Sequence, residues 1–179
     1  MPTIKPFRDY DEHEVLNLFA FEGATANKGV FVKPLVGWTS EDELQFLGPV
    51  GASYNNTVSE RFGVKARVVA TASGDLPIGM LLMDVRESDE NGELFKFNPS
   101  KAKEKGVVIS GQAIPILRRG LVLYSGLAGT PTLGGAIYSA ANGELSVTGT
   151  STHQVGRALG LKDSVGGAGS GFVLIEINL

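Results

Sequence analysis

Cysteine is absent from the chain. That absence removes disulfide frameworks, thiol nucleophiles and thiolate metal sites together, so stability must come from burial or from assembly. Histidine is nearly absent too: only His13 and His153 occur, and neither has a second histidine at metal-ligand spacing on its own local element. A lone loop histidine is expected to be solvated, so neither is assigned as a general base. No run approaches the roughly 20 apolar residues of a membrane helix, and Met1 to Arg8 lacks the apolar centre of a signal peptide. A soluble, unexported protein with no membrane partner is expected. An excess of positive charge is missing as well: 16 Lys and Arg against 19 Asp and Glu leave a formal charge of −3. Surfaces that neutralise nucleic-acid phosphates concentrate Lys and Arg, so no nucleic-acid partner is expected.

Glycine is plentiful. The 24 glycines in 179 residues are about 13% of the chain, against a usual share of roughly 7%. Glycine marks places that need φ > 0 or close backbone approach, and this excess predicts many tight turns between short strands. The length suits one ordinary domain, or a compact domain with an extended arm.

Residues 1–14 are polar and charged, carry Pro2 and Pro6, and show neither periodicity. They read as an N-terminal arm. The cluster Val15 to Phe21 reads as one buried strand before Gly23, and Gly29 to Lys33 as an extended piece stopped by Pro34. Ser40 with Glu43 has capping-box spacing, so Trp38 to Leu47 reads as a helix or a strand, and Asn56 to Phe62 as another short helix. Ala66 to Ala72 and Met80 to Arg86, separated by Gly74-Asp75 and Pro77-Ile78-Gly79, form a hairpin candidate. Glu87 to Glu93 reads as a solvated acidic loop, and Leu94 to Phe97 as a brief pairing segment. Ser100 to Lys105 reads as a capped helix ended by Gly106.

The last third is the most regular. Val107–Ile109, Ile114–Leu117, Leu121–Tyr124, Ala136–Ser139, Val155–Gly160 and Phe172–Asn178 are apolar runs separated by Gly, Pro, Asn or Ser. Such punctuation predicts a small β-barrel or β-sandwich. Asn142-Gly143 predicts a hairpin between Ile137-Tyr138 and Leu145 to Val147. In the final run Val173, Ile175, Ile177 and Leu179 share one face, opposite Glu176 and Asn178, so the first face should be buried. The expected fold is therefore mainly β, with an extended N-terminal arm and one or two short helices. Residues 15–179 form the β-rich domain, with 15–105 as an N-terminal lobe and 106–179 as a C-terminal barrel.

No assembled reactive group is evident, and no catalytic, cofactor-binding or metal-binding residue is assigned. Asp89 and Asn91 faintly resemble a calcium loop, but the full Asp-x-Asp-x-Asp-Gly pattern and its distal Glu are missing, which favours a solvated hairpin tip. The run Gly166 to Gly171 has no Lys-Ser or Lys-Thr ending and precedes a strand, so it reads as a connection and not a phosphate cradle. Lys101, Lys103 and Lys105, and the pair Arg118-Arg119, read as solvated charges, or as charges that meet an acidic partner surface.

The C-terminal half has a rhythm: Pro115 to Val122, then Gly134-Gly135-Ala136-Ile137-Tyr138 with Gly143-Glu144-Leu145, then Val155-Gly156-Arg157-Ala158-Leu159-Gly160, then a closing apolar strand. Over Gly106 to Leu179 this resembles the small, β-tulip-like head-decoration, or capsid cement, proteins of tailed bacteriophages. The resemblance implies a structural virion protein, made in the host cytoplasm, that sits on the outer capsid surface and stabilises the shell. It implies the major capsid protein as partner, self-association as a homotrimer, and no cofactor. The capsid or subunit interface is then expected at the arm residues Pro2, Ile4, Pro6, Phe7 and Tyr10 and at Arg118 and Arg119. A tail or neck protein on a similar barrel is the nearest rival reading. A small-ligand or carbohydrate-binding β-domain, with Trp38, Tyr54 or Tyr138 as a stacking platform, is another.

Overall fold

A computed structural model of the chain describes residues 3–6, 9–35, 66–149, 154–160 and 171–179. Trp38 to Leu47, Asn56 to Phe62, Tyr54, His153 and all of the Gly166 to Gly171 run except Gly171, read above from sequence, lie outside these residues, as do Pro2 and Phe7. Among the described residues the fold is mainly β, with a curled antiparallel sheet forming a half-barrel and a single α-helix.

The first sheet is built from β1 (Thr3–Pro6), β10 (Arg119–Ser125), β14 (Val173–Asn178), β13 (Gln154–Ala158), β11 (Ala136–Ser139) and β12 (Leu145–Ser146), in that spatial order and antiparallel throughout. Side chains alternate across a strand, and the period-two pattern of the sequence is realised here. Val173, Ile175 and Ile177 are buried while Glu176 and Asn178 are exposed. The Asn142-Gly143 turn joins β11 to β12 as expected. Asn142 and Gly143 have φ of 58° and 71°, a region that asparagine tolerates and glycine enters freely.

The second sheet runs β2 (Val15–Leu16), β9 (Ile116–Leu117), β6 (Gly79–Leu81), β4 (Phe31–Pro34), β5 (Arg67–Ala70), β3 (Ala20–Phe21). It is buried on both faces, which explains unbroken apolar pairs such as Phe31-Val32, Met80-Leu81 and Ile116-Leu117. Phe31, Met80 and Leu117 face the first sheet and share a core with Val122, Tyr124 and Ile175. Val32, Leu81 and Ile116 face the other way and pack with Val68, Val85 and Ile114.

Two expectations are corrected and a third is narrowed. The candidate hairpin of β5 with β6 does not form, because β4 pairs with both and lies between them. The single strand expected over Val15 to Phe21 is two: β2 pairs with β9, and β3 pairs in parallel with β5. The brief pairing expected over Leu94 to Phe97 forms but is narrower, confined to a bridge from Leu94 to Ser88 with the Phe95 amide on the Glu87 carbonyl, and the Phe95 side chain turns inward beneath the helix.

The expected arm differs as well over residues 3–6. Thr3 to Pro6 pairs with Ser125 to Val122, and Ile4 is 3% exposed within the main core. The chain then stays beside the same partner. Tyr10 donates its hydroxyl to the Leu121 carbonyl at 2.8 Å, the Glu14 carbonyl accepts from the Arg118 amide at 2.8 Å, and Val15-Leu16 pairs with Leu117-Ile116. Residues 3–6 and 10–16 thus pair with or bond to residues 116–125, which cross from one sheet to the other. Ile4→Ala is expected to cost about 2 kcal/mol of unfolding free energy in a denaturant titration, the low end for an isoleucine truncated in a core, because an edge strand can adjust. A change within experimental error would place Ile4 outside the cooperative core.

Candidate functional site

The densest group of charges lies in a strand-helix-strand unit. β7 (Asp84–Arg86) and β8 (Val107–Ile109) are parallel and are joined by the acidic loop and helix α1 (Pro99–Lys105). A parallel pair requires such a crossover. Pro99 occupies the first turn, where its missing N–H costs nothing. Gly106, at φ 64°, ends the helix by turning its amide back to Ala102 and Lys103.

Asp89 organises the loop. Its Oδ1 accepts from the amides of Asn91 (2.9 Å) and Glu93 (2.8 Å), the local bonding by which aspartate builds turns. Its Oδ2 meets the Lys101 ammonium, which also reaches Glu93 Oε2 at 2.6 Å, while Lys105 Nζ reaches Glu90 Oε1 at 2.8 Å. Lys101 and Lys105 stand four apart on one helix face, so both reach the loop together. The solvated reading of these lysines is corrected at Lys101, which is half-buried between carboxylates; Lys103 and Lys105 are exposed, Lys105 while paired with the exposed Glu90. The solvated-tip reading is corrected at Asp89 alone, whose side chain is 1% exposed. The Lys101 ammonium stands between the Asp89 and Glu93 carboxylates.

The hydrogen bond from Lys101 holds the Asp89 carboxyl down at about 2, against the upward push of burial and with help from the loop amides. The sign follows from linkage. A carboxyl depressed from 3.8 to about 2 contributes stability that is present above pH 3.8 and lost as pH falls through about 2. Protection of the Asn91 and Glu93 amides, measured against their intrinsic exchange rate at each pH, should therefore fall on acidification through that window. In Lys101→Met the loop should already exchange fast at neutral pH. An unchanged exchange rate in that variant would show that the staple does not hold the loop.

A cleft of about 570 Å³ adjoins this unit, lined by Asp84, Arg86, Ser88, Asp89, Glu90, Phe95, Lys105 and Val107. Its charges are already paired. Arg86 donates to the Ala26 and Val85 carbonyls and to Asn27 Oδ1 at 2.6 Å, and lies 3.7 Å from Asp84. Asp84 accepts the Lys28 amide at 2.7 Å. These bonds tie β7 to the segment before β4, which is a structural use of the arginine fork. Among the described residues, Ser88 is the one hydroxyl lining the cleft and no histidine lines it. His13 is 85% exposed, 3.9 Å from Glu12, and groups with Asp11 and Glu12 in open solvent.

The interface residues expected from sequence fall into two sets. Ile4 is in the core, and the Tyr10 ring closes over Gly120, where a Cβ would come within 2.8 Å of it. Gly120 at φ 152° is required by that close approach. Pro6, Arg118 and Arg119 are exposed. Arg118 and Arg119 mark the corner where β9 passes into β10, with Arg119 Nε donating to Asn178 Oδ1 at 3.1 Å. The structure thus brings Tyr10 and the arginine pair to one corner, although 108 positions separate residues 10 and 118.

Sequence reasoning did not single out the most exposed large apolar side chains among the described residues: Phe97 (80%), Leu133 (70%) and Leu76 (65%). They lie in loops without a periodic pattern, so no local signal separates them from core residues. Tyr138, proposed above as a platform, lines a second cavity of about 230 Å³ with Thr130, Pro131, Thr132, Gly135, Ala136 and Val147. No family model, curated protein or solved structure matches the chain. The functional reading therefore rests on its own residues.

Proposed function

We propose that the chain is a structural virion protein that binds the outer surface of a phage capsid and stabilises the shell, acting through its surface and not through a pocket. The observation that carries this reading is the contrast between a filled two-sheet core and large apolar side chains held in solvent at Phe97, Leu133 and Leu76. Exposed apolar side chains scattered singly are common on protein surfaces, and here they would supply contact area once a partner buries them. The soft resemblance of residues 106–179 to head-decoration proteins narrows the partner to the major capsid protein, with self-association as a homotrimer. Ile4 and Tyr10 are spent on the chain's own packing, so among the described residues contact falls to Pro6, Arg118, Arg119 and the exposed apolar side chains, with Pro2 and Phe7 kept as expected contacts. The corner arginines then supply charge complementarity to an acidic shell surface.

The test mixes the purified protein with undecorated capsids and images the particles, alongside a mass measurement of the free protein. Regular added density at lattice symmetry axes is expected, and the double variant Arg118→Glu, Arg119→Glu should weaken it by at least about fivefold. Absence of binding to any shell would remove the proposal. Density on a tail or neck would move the protein to that part of the particle.

The Tyr138 cavity favours a second reading, a ligand-binding β-domain. Its lining has an aromatic ring and two threonine hydroxyls but no charged residue, which suits a small neutral polyhydroxylated ligand. Titration with neutral sugars, followed by NMR, would show saturable shifts confined to residues 130–138 and 147. Their absence would leave the capsid reading alone.

A further inference from the structure

The sequence contains two Asn-Gly dipeptides, Asn91-Gly92 and Asn142-Gly143, and the fold treats them oppositely. In such a pair the glycine amide nitrogen attacks the asparagine side-chain carbonyl, because the following residue has no Cβ to obstruct the approach. A bond forms from that nitrogen to Cγ, the Cγ–Nδ2 bond breaks, and ammonia leaves with the glycine's amide proton. One water then opens the five-membered imide at either carbonyl, leaving aspartate or isoaspartate. The sum is side-chain amide plus water to carboxylate plus ammonium. The step that a fold controls is release of the glycine amide and its rotation towards Cγ.

At residues 91 and 92 little opposes that rotation. Both are exposed, and a Cβ built on Gly92 meets nothing within 4 Å. The Gly92 amide donates only within its own turn, to the Asp89 carbonyl at 3.2 Å. At residues 142 and 143 the packing opposes it. Gly143 is buried, its amide donates to the Thr71 carbonyl at 2.9 Å, and a Cβ there would lie 2.6 Å from the Phe31 carbonyl oxygen. Turning that peptide breaks a tertiary hydrogen bond and drives it into the backbone of a central strand.

We infer that Asn91 is a site of spontaneous deamidation and that the tertiary structure protects Asn142. The product places a new carboxylate in a loop that already holds Asp89, Glu90 and Glu93. Isoaspartate also adds a backbone methylene to the turn whose amides Asp89 grips. The added methylene displaces the amides that Asp89 grips, and the added carboxylate competes with Asp89, Glu90 and Glu93 for Lys101 and Lys105. This chemistry does not depend on the capsid reading.

The experiment incubates the full chain in mildly alkaline heavy-oxygen water, folded in one aliquot and denatured in another. Both peptides are followed by mass spectrometry. In the folded chain Asn91 should convert at least about tenfold faster than Asn142, a difference set by local opening, and in denaturant the rates should converge within about threefold. Equal rates in the folded chain, faster conversion at Asn142, or an unchanged Asn91 while the denatured chain converts would each overturn the inference.

Discussion

Phe31→Ala should lower the unfolding free energy by about 3 to 5 kcal/mol, the usual cost of truncating a fully buried phenylalanine. Phe31 lies in β4, whose neighbours β5 and β6 pair with it on either side, and its ring joins the core shared by both sheets. Its backbone is also engaged, since its carbonyl accepts the Thr71 amide at 3.0 Å. Tyr124, Leu145 and Ile175 of the other sheet belong to the same core, and they cannot collapse into the space left by the ring without moving that sheet. Chemical denaturation measures the loss as a lower midpoint at unchanged slope. A loss below about 1 kcal/mol would mean that the two sheets do not share this core.

Gly156→Ala should cost about 3 kcal/mol or more, at the upper end for overpacking a well-filled interior. Gly156 lies in β13, between β11 and β14, opposite Ile137 on one side and Ile177 on the other. A Cβ there would lie 1.9 Å from the Glu176 carbonyl oxygen and 3.2 Å from the Ile177 Cα. Those atoms are backbone held by strand pairing, so relief requires separating β13 from β14. Thermal unfolding and recovery of soluble protein would both report the change. A melting temperature equal to that of the parent chain would show that β13 and β14 are not paired in this register.

Much of the fold was legible because local pattern decides local structure. Period-two alternation in residues 173–178 marks a half-buried strand whatever its partner is. Gly106 stops a helix because left-handed backbone costs glycine little, and Asn142-Gly143 turns a hairpin for the same reason. The candidate sites were less legible. Asp89 and Lys101 each looked solvated because a charge reads as exposed until its counter-charge is known, and here a loop and a helix from one crossover supply the two halves. The Gly156 contact with Glu176 is equally invisible, since a glycine in an apolar run carries no mark of what approaches it.

The N-terminal segment shows the division best. Its composition, polar and interrupted by proline, determined only that it has no autonomous helix or strand. That Ile4 is core, that Tyr10 closes over Gly120, and that Arg118 and Arg119 stand out at a corner follow from its run along residues 116–125. Sequence by itself determined a mainly β chain, its turn positions, the buried face of its last strand and the absence of thiol chemistry. Tertiary structure alone decided which strands pair, which charges neutralise each other and which of two identical Asn-Gly turns is locked. The physical reason is range: propensity and periodicity act over a few residues, whereas pairing closes long loops whose entropic cost varies only slowly with length. Complementary surfaces, assembled from distant segments, therefore choose the partner.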